Sequence, residues 1–76
     1  MGEQSRVIVE LDGLQTNIQV SGNYTYIGKA PCGALTSEEK WQIKRIDATT
    51  GTLIQWASGT QLFDKEFDER ASYTYS

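Results

Sequence analysis

Four groups of residues in this chain have the types from which chemistry is built. They are the run Gly28-Lys29-Ala30-Pro31-Cys32-Gly33, the thiol of Cys32 within it, the carboxylates Asp64, Glu66, Asp68 and Glu69, and the aromatic set Tyr24, Tyr26, Trp41, Trp56, Tyr73 and Tyr75. The glycine-bounded run has the outline of a phosphate loop. It lacks the Gly-Lys-Ser/Thr ending, and no helix follows to aim amide groups at a phosphate, so nucleotide binding is not expected. Lys29 would favour the thiolate of Cys32. The sequence holds no histidine to serve as its base, and an unreactive cysteine is the expectation.

The four carboxylates supply oxygen ligands of the kind calcium takes, but not with the alternating spacing of a calcium loop. Salt bridges to Lys65 and Arg70 on a solvated loop are the simpler reading. Paired carboxylates also serve glycoside hydrolysis, which needs a deep cleft that so short a chain is not expected to enclose. Aromatic faces on a sheet stack on sugars or bases. A domain with few large aliphatics must also fill its interior with rings, and both tryptophans are expected in the core.

Composition narrows the classes further. Without histidine there is no ordinary general base near neutral pH and none of the commonest metal ligand, so no catalytic residue, metal or cofactor is expected and the chain reads as a non-enzyme. One cysteine forms no internal bridge. Seven basic against ten acidic residues give a net charge of −3, which argues against nucleic acid as a partner. The amino-terminal residues lack the basic start and apolar run of an export signal, and no stretch reaches the roughly 20 apolar residues of a membrane span. The sequon at Asn23-Tyr24-Thr25 is therefore read as a turn leading into a strand. Met1-Gly2 lacks the Ser or Thr that myristoylation needs, since Arg6 stands there.

The elements that must position these residues are strands. Val7, Val9 and Leu11 alternate with Ile8 and Glu10, Asp12-Gly13 suits a tight turn, and residues 14–20 put Leu14, Thr16, Ile18 and Val20 on one face. This predicts a hairpin whose apolar face is buried. A short strand over 24–27, ended by Gly28, is predicted next, then a surface connection over 30–39. Trp41 and Ile43 are predicted to face Trp56 and Ile54 across a turn at 47–51, as the centre of the core. Residues 61–70 fit either a strand or a single helical turn, and the three like charges that a strand would align favour the turn. Residues 71–76 read as a last strand with Tyr73 and Tyr75 on one face.

With no shift in composition and no repeat, residues 1–76 form a single domain. The expected fold is all-β: a small antiparallel β-sandwich or partly open barrel of five to six strands, with at most one short helical turn. A chain of this length buries only about 60% of its unfolded surface. Thin cores and open strand edges both favour a homo-oligomer. The segment holding Phe63, Phe67, Arg70, Tyr73 and Tyr75 is the expected interface. It either folds back on its own sheet or contributes to an adjacent copy.

The succession YIGKAPCGALTS, WQIKRID, TTGTLIQWASG and FDKEFDERASYTYS, spanning residues 26–76, resembles short proteins encoded by tailed bacteriophages and prophages. The resemblance implies a virion-associated protein, assembled in the host cytoplasm with other capsid or tail proteins, and supplies no catalytic residue. A capsid decoration or tail accessory subunit is the expected function. A carbohydrate- or receptor-binding module using exposed aromatics is the alternative.

Overall fold

The computed structural model describes residues 13–76. Four strands, β1 (Leu14–Ser21), β2 (Tyr24–Pro31), β3 (Gln42–Asp47) and β4 (Leu53–Trp56), form one antiparallel sheet in the order β1-β2-β3-β4. A 3-10 turn at Phe67–Glu69 is the only helical element among the described residues. The chain is thus mostly β, with a single open sheet. The proposed partner strand at residues 7–11 lies outside the described residues.

Local chemistry accounts for the connections. Gly22, at φ 60°, turns β1 into β2, so that Ser21 pairs with Tyr24 and the register runs on to Leu14 opposite Pro31. Between β3 and β4 the Asp47 carboxylate accepts the Thr49 amide at 2.9 Å, and Asp47 then pairs with Leu53. This turn sets a register in which Lys44 opposes Trp56 and Ile46 opposes Ile54, while the Ala57 amide donates to the Ile43 carbonyl.

That register corrects the expected tryptophan pair. Trp41 and Ile43 stand on one face with Ala57, whereas Ile54 and Trp56 stand on the other with Lys44 and Ile46. Because side chains alternate, a shift of one residue in pairing moves a whole strand's set to the opposite face. The same correction applies to β1. Its apolar residues Ile18 and Val20 are exposed, at 56% and 71%, and its amide residues Gln15, Asn17 and Gln19 share the face of Ala30, Gly28 and Tyr26.

The core lies on the face of Trp41, Ile43 and Ala57, and is completed by Tyr26, Ala30, Phe67 and Tyr75. Rings delivered by the segment after β4 need room, and small residues make it. A Cβ at Gly28 would meet Phe67 Cδ1 at 2.4 Å and Trp41 Cε3 at 2.9 Å. Gly28 therefore does not end β2, as its place in the sequence suggested. The strand passes through it to Pro31, and the missing side chain admits the Phe67 and Trp41 rings, whose centroids stand 5.2 Å apart.

Candidate interaction surface

The closing segment combines both structures predicted for it. Lys65 bridges Trp41 through two backbone hydrogen bonds of 2.9 and 3.0 Å, and the 3-10 turn follows. Residues 74–76 then run along the outer edge of β4. The Trp56 amide donates to the Ser76 carbonyl at 3.1 Å, the Ser76 amide donates back at 3.2 Å, and the Ser58 amide donates to Thr74. The last segment thus pairs with the Trp56 end of the β4 edge.

Of the five residues expected at an interface, Phe67 and Tyr75 are buried in the chain's own core. Tyr75 packs at 5.8 Å from the Tyr26 ring, and its hydroxyl donates to the Arg70 carbonyl at 2.7 Å. Burial, reinforced by the neighbouring Tyr26, pushes the Tyr75 phenol up to about 12. Arg70 lies over the Phe67 ring at 4.9 Å and donates to the Phe67 carbonyl, which pins the turn. The half-buried Tyr73 accepts the Glu66 amide at its hydroxyl, 2.8 Å away. Phe63 alone keeps a large apolar face toward solvent, at 43% exposure. Phe67 and Tyr75 thus fold back on their own sheet, where Gly28 leaves space that the Phe67 ring enters beside Trp41.

A cation completes the packing. The Arg45 guanidinium sits between the Tyr24 ring at 4.4 Å and the Tyr75 ring at 4.5 Å, and donates to Gln55 Oε1 at 2.8 Å. Residue types alone did not reveal this stack. Its signal was the alternation of Tyr24 and Tyr26 on a strand that registers Tyr26 opposite Arg45. Lys65, which is buried, directs its ammonium to Thr60 at 3.3 Å and to Asp64. Among the described residues, Asp64, Glu66, Asp68 and Glu69 do not converge on a metal-holding group, and Cys32 is exposed. No concave pocket forms among these residues, and no helix among them is long and apolar enough to cross a membrane.

Among the described residues, what remains open is the other side of the sheet. The register sets Val20, Thr25, Ile46 and Ile54 in one row across it, and Ile18, Ile27, Lys44 and Trp56 in the next. Ile54 is 55% exposed, and the Lys44 ammonium lies over the Trp56 ring at 5.7 Å. Beyond these rows stand Thr16, Lys29 and Gln42. Lysines are the only charged side chains on these rows, whereas the carboxylates of the closing segment belong to the loops that follow β4. An apolar stripe on a sheet face has the chemistry of a protein contact. Of the aromatic set, Tyr26, Trp41 and Tyr75 turn inward and Trp56 stands on this open side. In comparisons with known proteins, no family model matches the chain, and no curated protein and no solved structure matches it.

Proposed function

We propose that the chain is a non-catalytic structural subunit of a bacteriophage virion, such as a capsid decoration or tail accessory protein. The observation that carries the reading is the division of the sheet: the chain's own last residues close one face and pair with the Trp56 end of one edge, and no described residue covers the apolar face or the β1 edge, which leaves them for other proteins. Association of sheets through such faces and edges is how small β subunits build symmetric shells and rings. The sandwich expected from the sequence then belongs to the assembly, formed when a second layer covers the row Ile18, Ile27 and Trp56. The order of short motifs over residues 26–76 supports the phage assignment.

The test is the composition of particles. Particles purified by density gradient from cells carrying the encoding genome should contain this chain, in many copies per particle by quantitative mass spectrometry. Recovery of the chain solely in the soluble fraction, with complete particles formed in its absence, would overturn the proposal.

A further inference from the structure

We propose that β1 is the seam of a homodimer, in which two copies pair their β1 strands antiparallel about Asn17 and join their sheets into one. The inference rests on the reading of the chain as an assembly subunit and adds its first partner, a second copy. Its basis is the contrast between the sheet's two edges. Residues 74–76 pair with the Trp56 end of the short β4, whereas β1 has β2 as its only neighbour along all eight residues among the described ones. Free edges are ordinarily protected by charge, proline or a bulge. β1 has none of these. It is eight residues of LQTNIQVS in unbroken register, without a charged residue or a proline.

The backbone decides which registers are possible. The Cys32 amide donates to the Gly13 carbonyl at 2.9 Å, so Gly13 and the odd-numbered residues of β1 turn their backbone groups toward β2. Leu14, Thr16, Ile18 and Val20 turn theirs to the open side. A two-fold pairing must bring these even-numbered residues against one another, which excludes every register centred between two residues. Among those left, the one centred on Asn17 keeps the whole of residues 14–20 in overlap. A centre at Ile18 instead sets Leu14 against the partner's Gly22.

The side chains agree with that centre. Leu14 meets the partner's Val20, Gln15 meets the partner's Gln19, Thr16 meets the partner's Ile18, and Asn17 meets the partner's Asn17. Apolar thus meets apolar at the ends, β-branched meets β-branched within them, and amide meets amide on the face that carries the core. Each copy carries a net charge of −3, and this seam brings no like charges together. Pairing also makes the two open apolar faces continuous, with Ile18 and Val20 beside the partner's Thr16 and Leu14. A hairpin through Asp12-Gly13 would offer residues 6–11 to the same edge, setting Leu11, Val9 and Val7 opposite Leu14, Thr16 and Ile18 but Ile8 opposite Asn17 and Arg6 opposite Gln19, and it is the competitor that the experiment must separate from the seam.

Sedimentation equilibrium of the full chain, together with amide hydrogen exchange read by NMR, tests this. Expected is a species of twice 8.5 kDa, with the amides of Leu14, Thr16, Ile18 and Val20 protected in proportion to the dimer fraction. Thr16→Pro removes only an outward donor, and Thr16→Lys places an ammonium beside the partner's Ile18. Each should weaken association by about tenfold or more while the protection of β2 and β3 persists. A monomer at millimolar concentration overturns the seam, as does a dimer that neither variant weakens. Protection of the four amides that is independent of concentration, with cross-peaks to residues 6–11, gives the edge to the chain's own segment and also overturns it. A monomer that still enters particles leaves the virion role intact, and a dimer that never does so removes the role and keeps the seam.

Discussion

The two faces of the sheet are made from the same strands and have opposite fates. On one, small residues, Gly28 and Ala30 of β2 and Ala57 just after β4, share the core with the large rings of Trp41, Phe67 and Tyr75. On the other, aliphatic side chains of ordinary size stand in rows with nothing among the described residues laid over Val20 or Ile54. The difference teaches that burial here follows shape rather than hydrophobicity. The covered face is recessed and admits rings from the closing segment, while the open face is already filled to its own level and offers a flat contact.

Removing residues 71–76 strikes the covered face hardest. It deletes the Tyr75 ring and the backbone pairing to Trp56, and the truncated chain should lose its cooperative thermal transition and its β-sheet circular dichroism. Survival of the β1-β2-β3 signal after truncation would show that the faces are energetically independent. Next in size, Trp41→Ala should cost about 3–5 kcal/mol, a large share of the roughly 4–11 kcal/mol that about 0.05–0.15 kcal/mol per residue gives a chain of 76 residues. Trp56→Ala, on the open face, should cost less than half as much, and equal losses in urea titration would contradict the register. Gly28→Ala adds a methyl group against Phe67 and should destabilise by about 1–3 kcal/mol, since overpacking is relieved only by moving the ring.

Tyr75→Phe should cost about 1 kcal/mol through the lost bond to the Arg70 carbonyl. The same residue gives the covered face a pH signature. Its folded value near 12 lies above the ordinary 10.0, so the unfolded chain releases the proton first and stability falls as pH rises between those values. The Tyr75→Phe protein should show a shallower decline over that interval, and parallel curves would break the assignment. Smallest of all, Val20→Thr and Ile54→Thr should change monomer stability by no more than about 0.5 kcal/mol.

Strand periodicity in β1, β2 and β3 and the turn at Asp47 were legible because alternation and turn chemistry are local. The face each strand presents was not. Trp41 and Ile43 read as natural partners of Trp56 and Ile54, but a pattern of alternation has two phases, and the one chosen by packing depends on Ala57 and Gly28, residues with no hydrophobic signal of their own. β1 was misread for the same reason: its apolar residues suggested an inward face, and the ring-filled recess lies on the side of its amides. In the closing segment Phe63, Phe67, Arg70, Tyr73 and Tyr75 were read as residues that must pack on something, either their own sheet or an adjacent copy. That Phe67 and Tyr75 return to their own sheet depended on a space that became visible only with β2 and β3 in register.

The division of the two indoles between the faces has a spectroscopic consequence. Trp41, buried beside Phe67, should emit in the blue and report only on unfolding, whereas Trp56, on the open side beneath the Lys44 ammonium, should emit to the red. With Trp41→Phe and Trp56→Phe variants to separate the emissions, a single cuvette distinguishes a molecule that has docked from one that has melted.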